Sequence, residues 1–226
     1  MRKTKIRLLI AEDHTIVRQG LMDILSKYDD ICIVGEAENG DMLIKKYDTF
    51  KPDVVLTDIE MPEMKGTEAA KEILSKYPEA KIIFLSMYNS DEYIYKTYKL
   101  GAWGLIPKEV IKSELVDAIR SVYEGYKYFM SKSKEDIKEI INKIEQYKNI
   151  TEARSLQLTS REKEVLMILA QGKTSEQIAD ILGNITKRSV EAHRSSMMKK
   201  LNFTKAVELI RFAVQFSNNT RENSKN

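Results

Sequence analysis

The sequence predicts an α/β domain, a doubly wound parallel sheet of five strands, followed by a small all-helical domain. Three observations predict this. In the first half, short apolar runs alternate five times with amphipathic stretches. From Leu156 onward the apolar spacing is helical throughout. Charge divides the same way. Residues 1–130 carry 19 Lys+Arg and 22 Asp+Glu, a balance of −3, and residues 131–226 carry 18 and 12, a balance of +6. A chain of 226 residues suits two modest domains, and the basic half is a prior for nucleic acid.

The runs Ile6–Ala11, Ile31–Ala37, Val54–Thr57, Lys81–Ser86 and Gly104–Ile106 read as buried strands. Helical patterns lie between and after them, near 15–28, 41–50, 66–77, 92–100 and 113–124. Strict alternation implies parallel strands covered on both faces, joined by right-handed crossovers. Ligands of such sheets bind outside the carboxyl ends of the strands. Cys32 falls inside a strand pattern and is expected to be a small core residue.

Residues 131–155 read as a helical linker. Ile137, Ile140, Ile141, Ile144 and Tyr147 share a helical stripe, and a polar stretch follows near 149–155. The helical domain spans 156–217. Thr159–Glu162 and Thr174–Gln177 have the spacing of capping boxes. Helices are expected near 160–170, 175–182, 187–200 and 204–216. Residues 218–226 are polar and expected to be disordered.

No run approaches the ~18 apolar residues of a membrane span, so no membrane role is expected. The basic N-terminus meets two acids too soon to read as a signal peptide. One cysteine forms no internal disulfide and fits a reducing, cytoplasmic setting. Two histidines and one cysteine exclude a multi-Cys/His zinc site.

Chemistry concentrates where the strands end. Glu12 and Asp13 follow the first strand and Asp58 follows the third. Three acids in one cleft repel unless a cation joins them. Oxygen ligands with open positions favour Mg²⁺. Ser86 ends the fourth strand and Lys108 the fifth, adding a hydroxyl and an ammonium to the same rim. Carboxylate nucleophile, divalent cation, ammonium and hydroxyl together suit aspartyl-phosphate chemistry.

The strings AEDH, TDIEMPEMKG, LSMY and GLIPK at these strand ends resemble the receiver domain of two-component response regulators, over about residues 5–127. The resemblance implies a flavodoxin-like fold with strand order 2-1-3-4-5. It implies that Asp58 accepts a phosphoryl group from a histidine kinase. Asp13, Asp58 and the backbone carbonyl of Glu60 would hold Mg²⁺, with Glu12 supporting through water. Ser86 and Lys108 would contact phosphoryl oxygens, and Pro62 and Gly66 would shape the adjoining loop. Such domains often carry an aromatic residue three positions before the lysine, where this chain has Leu105.

Residues 174–200 read helix, tight turn, helix. Between 187 and 205 stand Lys187, Arg188, Arg194, Lys199, Lys200 and Lys205 against one acid, Glu191. A major groove admits one helix, and flanking cations bind phosphates. LTSREKEVLMILAQGKTSEQIADILG followed by SVEAHRSSMMKKL resembles the DNA-binding domain of NarL/FixJ (LuxR-type) regulators, over about 156–216. By that resemblance Glu191, Ala192 and Ser195 face bases, while Lys187, Arg188, Arg194 and Lys199 serve phosphates. The turn Leu182–Thr186 is one residue longer than the common pattern.

The expected function is a transcription regulator that binds double-stranded DNA, controlled by phosphorylation of Asp58 and dimeric on activation. RNA polymerase is a candidate further partner. The expected enzymology is limited to the chain's own phosphotransfer and dephosphorylation. Two alternatives stand beside it: an aspartyl-phosphate hydrolase, and a receiver-like binding module regulated without phosphorylation.

Overall fold

The computed structural model describes residues 5–109 and 112–223. The chain divides into two compact units, Met1–Ile141 and Asn142–Asn226.

The first unit holds β1 (Ile6–Ala11), α1 (Thr15–Leu25), β2 (Ile31–Ala37), α2 (Gly40–Phe50), β3 (Val54–Asp58), α3 (Gly66–Lys76), β4 (Ile82–Ser86), α4 (Asp91–Leu100), β5 (Gly104–Pro107), α5 (Lys112–Tyr123) and β6 (Tyr128–Phe129). The sheet is all parallel, in the order β2-β1-β3-β4-β5-β6. Every residue of β3 and β4 is buried. Helices cover both faces there, which is why these strands read as unbroken apolar runs. Leu8, Ile10, Leu56, Ile83, Leu85 and Ile106 pack with Leu115, Val116 and Ile119 of α5.

The sixth strand departs from the expected five. Only Tyr128 and Phe129 pair with β5, and Met130 and Ser131 then turn at positive φ. So short a run carries no periodicity of its own. Phe129 is nevertheless fully buried against Tyr98. Cys32 also differs from expectation: it is exposed, because β2 is an edge strand with only one partner.

Helix α6 (Lys134–Ser155) runs 22 residues without a break. The expected polar linker at 149–155 is its last turns, where Thr151 and Ser155 are buried. The division between the units falls inside this helix, later than the expected boundary at 130.

In the second unit α7 (Ser160–Leu169), α8 (Ser175–Leu182), α9 (Lys187–Lys200) and α10 (Ala206–Asn223) enclose Val165, Leu166, Ile178, Val190, Met197, Leu209 and Phe212. Both capping boxes form, at Thr159 with Glu162 and at Thr174 with Gln177. The expected disordered tail is corrected as far as Asn223. Residues 218–223 continue α10; Ser217 is buried, and the Asn219 amide reaches the Lys148 carbonyl at 3.5 Å. Residues 224–226 lie outside the described ones.

Candidate functional site

Glu12 and Asp58 meet at the carboxyl end of the sheet because β1 and β3 are adjacent and in parallel register, Ala11 opposite Thr57. Glu12 is fully buried and Asp58 nearly so. Lys108, one residue past β5, places its Nζ 2.7 Å from Glu12 Oε2 and 2.7 Å from Asp58 Oδ2. Its own backbone N–H bonds the Ser86 carbonyl at 2.8 Å, which fixes the lysine beside β4.

Burial pushes the Asp58 carboxyl above its ordinary value, and the nearby Glu12 charge adds to this against the pull of Lys108. Burial works against the Lys108 ammonium too, but its bonds to Asp58 and Glu12 outweigh that and leave it raised. One ammonium is shared between two buried carboxylates.

Asp13 lies at the mouth, its side chain 24% exposed. Ligand atoms of Glu12, Asp13 and His14 fall within 4.8 Å of one another. The His14 imidazole is raised, first by its bond to Glu12 and then by the Asp13 charge. Hard carboxylate oxygens beside an open, solvent-facing side match Mg²⁺, which retains several waters. Glu60 follows Asp58 by two residues. Its N–H approaches Asp58 Oδ1 at 3.4 Å, and its side chain turns away to Lys65 at 2.5 Å.

Ser86 is buried at the end of β4, its hydroxyl engaged with Tyr88. It donates to the Tyr88 carbonyl at 2.9 Å and accepts from the Tyr88 N–H at 3.0 Å. The Tyr88 ring stacks on Tyr93 at 5.1 Å. Leu105 is fully buried in β5. Gly66 opens α3 against the end of β3: a Cβ there would lie 1.8 Å from the Asp58 carbonyl oxygen.

In the second unit, Lys187, Glu191, Ser195 and Lys199 recur every fourth residue on α9, flanked by Arg188 and Ala192, and all six are exposed. Val190 and Met197 bury the opposite face. Arg194 is half-buried and donates to Ser175 Oγ at 2.9 Å, joining α9 to the start of α8. The long turn is braced by Arg161, which donates to the Asn184 side chain.

Two family models match. Residues 8–120 fit the response regulator receiver domain, and residues 156–213 fit the bacterial regulatory proteins of the luxR family. The chain is a response regulator of the NarL/FixJ type. This regulator is 34% identical over 217 residues to the uncharacterized transcriptional regulatory protein YxjL of Bacillus subtilis, covering 95% of this chain and 98% of that one. Its fold is similar to the RcsB response regulator of Salmonella typhimurium, with a TM-score of 0.61 and 25% identity over 92% of this chain and 98% of the other. It is also similar, at a TM-score of 0.59 and 25% identity, to a structure described as two RcsB dimers bound to two parallel DNAs, over 94% and 99% of the two chains. The relatives are transcription regulators rather than classical enzymes. Among the described residues no helix is long and apolar enough to cross a membrane.

Sequence reasoning missed two residues of this response regulator. Arg18 touches the acidic turn of the receiver, its only sequence signal being a cation one helical turn past His14. The sequence marks Glu162 as a helix cap alone, yet it also bonds Ser196 and Lys200 of α9, at 2.7 Å each.

Proposed function

We propose that Asp58 accepts a phosphoryl group from a partner histidine kinase, and that the phosphorylated chain acts as a dimer on duplex DNA. The observation that carries this reading is Lys108 held between the buried carboxylates of Asp58 and Glu12. An Asp58 oxygen attacks phosphorus in line, and the phosphorus–nitrogen bond of the phosphohistidine breaks. The imidazole leaves with the electron pair and takes a proton, leaving an acyl phosphate on Asp58. Lys108 and the Ser86 hydroxyl hold phosphoryl oxygens as charge spreads onto them. Asp13, Asp58 and the Glu60 carbonyl, with Glu12 through water, would hold Mg²⁺, which when bound neutralises those oxygens. The same groups support hydrolysis of the acyl phosphate.

Residues 1–130 form the receiver, 131–155 the helical link and 156–217 the DNA-binding domain in this reading. Lys187, Arg188, Arg194 and Lys199 serve phosphates, and Glu191, Ala192 and Ser195 face base edges. A single small reader is completed by a second copy one groove turn away; the RcsB structure described as dimers on DNA supports that arrangement. The regulator works in the cytoplasm, with RNA polymerase a candidate partner. Its kinship with transcription regulators favours this over an aspartyl-phosphate hydrolase.

Intact-mass analysis after incubation with acetyl phosphate and Mg²⁺ tests the phosphoacceptor: one phosphoryl adduct on the native chain and none on Asp58→Asn. Selection of bound DNA from a random pool, with and without the phosphodonor, tests the output. An adduct on Asp58→Asn, or no selected DNA in either condition, refutes the corresponding half.

A further inference from the structure

Arg18 sits in the first turn of α1 with its side chain only 12% exposed. Its Nη1 donates to the Glu12 carbonyl at 2.7 Å and reaches the Asp13 carbonyl at 3.4 Å. Its Nε donates to Glu36 Oε2 at 2.9 Å, and Nη2 lies 3.9 Å from Glu38 Oε2. The guanidinium therefore ties the turn after β1 to acids at the end of β2. The two carbonyls it grips belong to the peptide units on either side of the Asp13 Cα. Holding both fixes the direction in which the Asp13 side chain leaves the backbone. The cap residue His14 makes no side-chain capping bond; its ring meets the side chains instead, Nδ1 lying 3.0 Å from Asp13 Oδ1 and 3.2 Å from Glu12 Oε1, so Arg18 is the side chain that grips the backbone of the turn.

We propose that Arg18 is a positioning residue for the cation site, setting the Glu12–Asp13 turn so that its carboxylates face a divalent cation. The inference rests on the reading that Mg²⁺ binds these acids. Pure electrostatics makes the opposite prediction. A buried positive charge beside a cation site repels the cation, so a neutral replacement would tighten binding. Glu36 and Glu38 offset that repulsion, and the geometric role remains. The two accounts thus differ in sign.

Calorimetric titration of the full chain with Mg²⁺ alone separates them. Arg18→Met is expected to weaken Mg²⁺ roughly tenfold, the usual scale for losing a group that orients metal ligands. Acetyl-phosphate labelling of that variant should recover when Mg²⁺ is raised in proportion. Arg18→Lys keeps the charge but loses the planar fork that spans both carbonyls and Glu36, and a loss of about threefold or more is expected. Unchanged or tighter Mg²⁺ binding in Arg18→Met overturns the proposal. If that variant does not fold, unchanged binding in Arg18→Lys overturns it. Asp13→Asn is measured alongside. If the native chain binds no Mg²⁺, or Asp13→Asn binds as well as native, the metal reading itself falls. If native binds, Asp13→Asn does not, and both Arg18 variants match native, only the role of Arg18 falls.

Discussion

Each half of the molecule buries a carboxylate against a lysine at 2.7 Å: Asp58 with Lys108 in the receiver, Glu162 with Lys200 in the helical domain. Their acidities move in opposite directions. Burial pushes Glu162 up as well, but Lys200, Thr159 N–H, Ser196 and the Thr159 hydroxyl all donate to it and bring it down to about 2. Asp58 has one strong donor, which it shares with Glu12, and it ends raised. A carboxylate surrounded by donors is a structural fastening. One left short of donors has charge available for an incoming phosphoryl group or cation.

The contrast breaks most sharply on labelling. Asp58→Asn should abolish phosphoryl transfer from acetyl phosphate, whereas Glu162→Gln should leave it at the native level, both read by intact mass. The next effect is metal-linked stability. Mg²⁺ at a hundredfold excess over its dissociation constant should stabilise the native receiver by about 2.7 kcal/mol. Calorimetric melting should show that gain lost in Asp13→Asn and kept in Glu162→Gln. Glu162→Ala removes a cap and a link between α7 and α9 together, and should cost the helical domain about 1–3 kcal/mol in chemical denaturation.

The pH dependence is gentler and has a definite sign. Glu162 titrates lower folded than its ordinary 4.5, so its contribution is complete above that pH and fades as pH falls toward about 2. Circular dichroism melts across that window should show the loss, and Glu162→Gln should flatten it. The smallest effect concerns DNA. Lys199→Ala should reduce the log–log salt slope of binding by about 0.9 without changing base preference, and Glu191→Ala should do the reverse. A lysine variant that alters preference would reassign the faces of α9.

The strands, the acid set and both capping boxes were legible because each is written in contiguous residues: an apolar run, an acid at its end, a Thr three positions before Glu or Gln. What escaped is set by distant neighbours. Cys32 has a core-like sequence context and lies exposed because only one strand flanks β2. Residues 149–155 and 218–223 are polar enough to suggest irregular chain, yet both are helical; Thr151 and Ser155 are buried in the first, and Ser217 is buried just before the second. Two-residue β6 is defined by its partner, Gly104 and Leu105, rather than by its own pattern. The grip of Arg18 on the acidic turn depends on the curl of α1, and that of Glu162 on α9 spans 34 and 38 residues.

The clearance at Gly66 has a consequence for how this sequence can change. A methyl group there would overlap the Asp58 carbonyl oxygen and crowd Thr57 Oγ1, 2.8 Å away. Neither is the flexible end of a long side chain that could swing aside. Position 66 should therefore tolerate no larger residue, alanine included, unless the Asp58 backbone itself shifts. In a library covering every substitution, it would look as intolerant as position 58 while contributing no reactive atom. One position is held by chemistry and the other by volume, and only the spatial neighbour tells them apart.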